Sequence, residues 1–146
     1  MINLKDITEE NWREHISVYE EQKKYVSNPD KLLARAYAYR NFRSQAKMIY
    51  ADDKAVGMIL YYDLPEFKGY DIAQLFIDKE YQGRGYGTEA MKQVIELMRN
   101  DGKYKDIYLC YIEGNEAACK LYTKLGFHHT GDVDEDEILM VYHLED

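Results

Sequence analysis

Apolar residues recur along this chain in two periods, and each change of period marks a new element. Ile2, Leu4 and Ile7 alternate with polar residues, so residues 2–7 predict a first strand. From Thr8 the spacing turns helical. Trp12, Ile16 and Tyr19 form one stripe, and Glu9 and Glu10 fall in the first turn, where the helix dipole favours acids. Pro29 after Ser27-Asn28 marks a break and a restart, with Asn28 as cap of a second helix. Leu32, Leu33, Ala36, Tyr37 and Tyr39 give that helix a broad apolar side. Period two returns at Lys47: residues 48–51 and 55–62 predict a hairpin turned by Asp52-Asp53-Lys54. Pro65 ends it, Phe67-Lys68-Gly69 makes a loop, and residues 70–78 predict the next strand.

That strand runs into Gln82-Gly83-Arg84-Gly85-Tyr86-Gly87-Thr88. A helix is expected over about residues 85–100, with Ala90, Met91, Val94, Ile95 and Met98 on or near one face and Asp101-Gly102 as its stop. Ile107, Leu109, Tyr111 and Ile112 predict a strand, and Asn115 caps a short helix from Glu116 to Leu125 that Gly126 ends. Two last strands, around residues 127–133 and 138–144, flank Asp134-Glu135-Asp136, an acidic cluster best read as a solvated hairpin tip. The order is β-α-α-β-β-β-α-β-α-β-β. Adjacent strands imply antiparallel pairing, and the strand-helix-strand passage around Gly85 implies one parallel crossover. The fold class is therefore α/β (α+β), a mixed, mostly antiparallel central sheet with helices on both faces.

Composition narrows the function classes. One domain spanning residues 1–146 is expected, and 46% hydrophobic residues can fill its core. A net charge of −8 excludes bulk nucleic-acid binding, which needs a basic surface, and is compatible with a cationic small substrate. No apolar run reaches membrane-span length and the N-terminus is no signal peptide, so a cytoplasmic protein is the expectation. Cys110 and Cys119 show no metal spacing and read as two small reduced core residues. No metal is expected.

The glycine stretch carries the chemistry. Strand, glycine loop and helix together offer free backbone amides and the positive end of a dipole to a phosphate. Side chains at Gly83, Gly85 or Gly87 would block the close approach of a pyrophosphate. A nucleotide P-loop would need a lysine before Thr88, and a dinucleotide fingerprint would need glycine or alanine where Thr88 stands.

Gln82-x-x-Gly85-x-Gly87 resembles the acetyl-CoA pyrophosphate loop of the GNAT superfamily of N-acetyltransferases, whose pattern is Gln/Arg-x-x-Gly-x-Gly/Ala. Leu75-Phe76-Ile77-Asp78-x-x-Tyr81-Gln82-Gly83-x-Gly85 is similar to the family's strand and loop. Asn115-x-x-Ala118-x-x-Leu121-Tyr122-x-x-Leu125-Gly126-Phe127 is similar to its later segment. Within the superfamily the chain looks most like bacterial spermine/spermidine acetyltransferases. The resemblance implies acetyl-CoA as co-substrate and direct transfer to a primary amine in a ternary complex, with a polyamine such as spermidine or spermine as best acceptor. A protein or peptide amine, an aminoglycoside, or a non-catalytic acyl-CoA-binding regulatory domain are the alternatives. A homodimer is implied by the same likeness.

The resemblance also implies roles. The amides of Gln82 through Thr88 (Gln82, Gly83, Arg84, Gly85, Tyr86, Gly87, Thr88) would bind the pyrophosphate, with Arg84 adding a charged contact. Phe76 and Ile77 would pair with the pantetheine arm like a strand partner, one main-chain N–H polarising the thioester carbonyl. Asn115 would contact the pantetheine, and Tyr122 would protonate the departing thiolate. Related polyamine enzymes often carry carboxylates just before the Leu-Phe-Ile run, where this chain has Ala73 and Gln74. Asp71, on the same face as Ala73 by period two, is the candidate base, acting through water. Recognition of the acceptor is expected from the two N-terminal helices and their connection, with Glu20, Glu21, Tyr25 and Tyr37 as an acidic-aromatic wall, and from the loop around Phe67.

Overall fold

In the computed structural model, which describes residues 1–144, the alternating stretches become seven strands. They are β1 (Ile2–Asp6), β2 (Gln45–Ala51), β3 (Lys54–Leu64), β4 (Gly69–Ile77), β5 (Asp106–Ile112), β6 (His128–Asp134) and β7 (Glu137–His143). One sheet holds all of them in the order β1-β2-β3-β4-β5-β7-β6. Every pairing is antiparallel except β4 with β5. The helices are α1 (Pro29–Ala38), α2 (Tyr86–Asp101) and α3 (Glu116–Leu125). Asn28 caps α1 through a hydrogen bond from the Lys31 amide, and Asn115 caps α3 through one from the Ala118 amide.

The sheet has a core on each face. Ala90, Met91, Val94, Ile95 and Met98 of α2 pack on Ile49, Ile59, Ile72 and Ile107. On the other face Leu32 of α1 meets Met48, Met58, Leu60, Tyr62 and Phe76. Burying one such side chain fully contributes about 1.5–3 kcal/mol, so these faces fix the layers.

The helix expected from Thr8 does not form. Residues 8–13 make turns, and only Glu20–Gln22 winds into a single 3₁₀ turn. Local hydrogen bonds take over at Asn11, whose side chain accepts from the Thr8 amide at 2.8 Å and donates to the Asp6 carbonyl at 2.9 Å. Beyond it, β-branched Ile16 and Val18 are both buried with Ser17 between them, an extended alternation rather than a helical one. This stretch docks on the end of β4. The Ser17 amide donates to Asp78 Oδ2 at 2.9 Å, and the Lys79 amide donates to the Ser17 carbonyl at 2.8 Å. Trp12 and Tyr19, two residues of the predicted stripe, stay 49% and 46% exposed.

Two irregularities of β4 shape the region beside it. Its register with β3 shifts from Tyr61↔Ile72 to Leu60↔Gln74, leaving Ala73 as an extra, bulged residue. Alternation resumes one residue out of step, so Ala73 and Phe76 both face the α1 side. Secondly, β4 pairs with β5 only through Gly69, Tyr70 and Asp71, and then the two strands part.

The acidic cluster sits at the β6–β7 turn, as a hairpin tip. The cysteines depart from the expectation of core residues. Cys110 is exposed on β5 and Cys119 half-buried on α3, and both are free thiols. Away from the splayed strands, Arg43 forks onto two carboxylates, Asp63 at 2.7 Å and Asp101 at 3.0 Å, tying β3 to the end of α2. Tyr70 Oη joins them by donating to Asp101 at 2.6 Å. Among the described residues, no helix is long and apolar enough to cross a membrane.

A candidate active site of two adjoining clefts

Where β4 and β5 part, two clefts open. The first, about 290 Å³, runs from the glycine loop past Leu75, Phe76 and Ile77 to Asn115, Leu121 and Tyr122. Gly83 and Gly85 have φ of 81° and 83°, a conformation that side chains other than glycine adopt at a cost. A Cβ built on either meets nothing within 4 Å, so the loop faces open space that a ligand can fill. Gly85 precedes Tyr86, the first residue of α2, so the unsatisfied amides of the helix's first turn lie beside that space. Gly87 differs: its φ is ordinary, and a Cβ there would sit 3.7 Å from Ile77 and 3.9 Å from Leu75 and Leu121, an ordinary packing contact.

The loop is braced from outside. Gln82 Nε2 donates to the Ile77 carbonyl at 2.9 Å, and its amide pairs with that of Gln22 at 2.9 and 3.0 Å. The Gln82 side chain is therefore spent on holding the loop to β4 and to the N-terminal segment. Arg84 and Thr88 lie off the cleft lining, and Arg84 is exposed with its guanidinium 5.6 Å from the Tyr81 ring.

The bare edge of β4 follows from its pairing. The Asp78 amide donates to the Val56 carbonyl, which makes that pair and the Phe76–Met58 pair the hydrogen-bonded ones. Leu75 and Ile77 therefore turn their amides away from β3, toward the gap. The edge expected of Phe76 and Ile77 is thus carried by Leu75 and Ile77, while Phe76 contributes its ring. The strand's alternation was the signal for this; the bulge at Ala73 was not visible in the residues.

The second cleft, about 430 Å³, lies across the junction and is lined by Asp71, Gln74, Tyr111, Glu137, Lys24 and Arg35 among others. Tyr25, Val26, Leu75, Asn115, Ala118 and Tyr122 line both clefts. Tyr122 lies on α3, its ring centroid 6.0 Å from that of Phe127, and burial pushes its phenol up to about 12. The phenol is thus fully protonated at neutral pH. Burial pushes the Asp71 carboxyl up to about 6, opposed by Arg35 and by a hydrogen bond with Tyr62, its cross-strand partner. A carboxylate with that affinity can hold or release a proton near neutrality.

Of the expected acidic-aromatic wall, only Tyr25 arrives, donating to the Gly114 carbonyl at 3.3 Å. Glu20 and Glu21 sit on the outer 3₁₀ turn, Tyr37 is 68% exposed, and Phe67 packs edge-on against Tyr108 away from both clefts. The acids that do line the second cleft are Asp71 and Glu137. Glu137 was overlooked because it follows the hairpin tip, and only the β5–β7 pairing of Ile112 with Glu137 brings it back.

Residues 4–127 match the model of the acetyltransferase (GNAT) family. Over 141 residues the chain is 29% identical to a probable spermine N(1)-acetyltransferase of Bacillus subtilis subsp. natto, covering 91% of each protein. A spermidine N-acetyltransferase from Vibrio cholerae, solved in complex with CoA and spermine, superposes with a TM-score of 0.78 at 16% identity, over 98% of this chain and 95% of that one. An aminoglycoside acetyltransferase in complex with coenzyme A superposes with a TM-score of 0.76 at 15% identity, over 98% and 95%.

Proposed function

We propose that this chain, which belongs to the acetyltransferase (GNAT) family and is an acyltransferase using acetyl-CoA, acetylates a polyamine such as spermidine or spermine. The observation that carries the site assignment is the shared wall. The two clefts meet at Leu75, Asn115 and Tyr122, where β4 and β5 part, so a donor in one and an acceptor in the other would react at one point.

In this mechanism the amides from Gln82 to Thr88 hold the pyrophosphate, and Gly83 and Gly85 leave it room. Leu75 and Ile77 pair with the extended donor arm through their free amides, and such an amide can polarise the thioester carbonyl. Asn115, already a helix cap, borders the arm. Asp71 takes the proton that the ammonium must lose before its nitrogen can attack, directly or through one water. The amine then forms its bond to carbon while the bond from carbon to sulfur breaks; Tyr122 gives its proton to the leaving thiolate, and the second proton, which the nitrogen sheds on becoming an amide, restores the phenol. Desolvation that raises the phenol raises a thiolate's proton affinity in the same place, so the donor is not left mismatched. Glu137, in the same lining, supplies the negative field for a second ammonium.

Lys24 and Arg35 in the same lining favour a second reading, an acceptor amine on a peptide whose carbonyl or carboxylate oxygens those cations would bind. The test is release of free thiol from acetyl-CoA across spermidine, spermine, an aminoglycoside and a peptide. The polyamine reading requires the highest kcat/KM with spermidine or spermine. A preference for the peptide moves the assignment to the second reading, and release with none of them refutes both.

A further inference from the structure

One large cavity has no part in the two-cleft mechanism. It measures about 810 Å³ and lies between residues 12–18 and α1. Buried Ile16, Val18 and Phe76 line it together with half-buried Val26 and Leu33, while the exposed Arg13 and Lys31 also border it. Val18, Val26 and Phe76 line the donor cleft as well. Val26 is the one described residue that lines all three cavities.

Its position gives Val26 a particular task. The transfer point lies where the two clefts meet, and Val26 is on the wall there and also borders the third cavity. Phe76 belongs to an inner strand and is only 4% exposed, whereas Val26 sits on a bend between Tyr25 and Ser27 with no strand or helix to hold it. Val18, Val26 and Phe76 thus form the partition, and Val26 is the one of the three that also lines the acceptor cleft, where an acyl group longer than acetyl would press.

We infer that Val26, backed by Val18 and Phe76, sets the length of acyl group the enzyme transfers, and that the 810 Å³ cavity is the room a longer chain would occupy once Val26 is cut back. The inference rests on the acetyl-donor reading of the first cleft. The apolar inner wall suits a methylene chain, and the chemistry is unchanged: the amide bond forms, the thioester breaks, and CoA leaves as the thiol.

The test measures thiol release from acetyl-, propionyl- and butyryl-CoA with spermidine as acceptor. One extra methylene against a closed wall costs about 10–200-fold, so the wild type should fall off by at least tenfold at propionyl-CoA. In Val26→Ala the butyryl-to-acetyl ratio of kcat/KM should rise by about tenfold or more. Adding Leu33→Trp, which fills the cavity from the α1 side, should abolish that gain, while Leu33→Trp alone leaves acetyl transfer unchanged. A ratio in Val26→Ala that stays within about twofold of wild type, or a gain that survives Leu33→Trp, overturns the inference. If Val26→Ala does not fold, Val26→Ile decides: its propionyl-to-acetyl ratio must drop below that of the wild type, and an unchanged ratio refutes the idea. No thiol release from acetyl-CoA with any amine would instead sink the acetyltransferase reading, an outcome distinct from an unmoved ratio.

Discussion

Replacing Asp71 by Asn tests the base directly. Asn keeps the shape and can still accept the hydrogen bond from Tyr62, but it cannot take a proton. Burial holds the Asp71 carboxyl at about 6, some two units above an ordinary aspartate near 3.9, so it is a much stronger base than an exposed one. It is about nine-tenths ionised at pH 7 and about one-tenth at pH 5. The profile of kcat/KM, which reports the free enzyme, should therefore bend near pH 6 and fall about tenfold per unit below it. The kcat profile should bend lower, because a bound ammonium beside Asp71 favours the carboxylate. Asp71→Asn should remove the bend and cost about 10²–10⁴ in kcat at pH 7, measured as thiol release with spermidine. An acceptor amine with a pKa below about 7 arrives unprotonated and should recover most of that loss. Stability moves the other way. The folded state holds the Asp71 proton more tightly than the unfolded chain, so the ionised group costs stability as pH rises between about 4 and 6. Removing it should leave the unfolding midpoint at pH 7 equal or higher. A bend near pH 6 that survives in Asp71→Asn, or a loss of turnover that tracks a loss of fold, would refute the assignment.

Three other outcomes are expected. Tyr122→Phe keeps the ring against Phe127 and should leave the Kd for acetyl-CoA within about threefold while lowering kcat by about 10²-fold or more, by calorimetry and initial rates. Gly85→Ala forces a side chain into φ of 83° and should cost about 1–2 kcal/mol in urea unfolding and raise KM for acetyl-CoA more than it lowers kcat; KM unchanged would count against the loop as the anion site. Arg43→Ala strands Asp63, only 4% exposed, beside Lys103, and should cost about 2–3 kcal/mol after allowing for the half-exposed arginine. The Arg43 guanidinium also holds Asp101 well below the usual carboxylate range, so its contribution is present above about pH 4 and fades as pH falls through that lowered value. The variant's urea midpoint should accordingly depend less on pH on the acid side than that of the wild type.

Much of the donor side was legible because its signals are local. Gly83 and Gly85 take positive φ on either side of Arg84, α2 begins directly after Gly85, and Asn115 caps α3 three residues before the amide it satisfies. The acceptor side was less legible because its contacts are distant. Trp12, Ile16 and Tyr19 fit a helical stripe, but the competing pull is an extended pairing of Ser17 with Asp78, 61 residues away, which no window around Ile16 contains. The same holds for Gln22 and Gln82, 60 residues apart. The extra residue at Ala73 leaves no mark in the alternation of residues 70–78, because it only shifts which neighbours face α1. Glu20 and Glu21 were drawn toward the site by charge alone, and the 3₁₀ turn carries them outward.

The two-point fastening of the N-terminal segment, at Ser17 to Asp78 and at Gln22 to Gln82, also bears on how such a protein can diversify. Nearly everything proposed to grip the donor comes from residues 75–122, and one wall of the acceptor cleft comes from residues 24–35. Both pins reach the donor half at its loop and strand end, and neither lies between residues 24 and 35. Apart from Tyr25 and Val26, which also line the donor cleft, that stretch can therefore change sequence, and with it the amine admitted, while the pins keep it seated and the donor half stays as it is. Acceptor preference can drift along a short inherited segment without a matching change in the half that holds the donor.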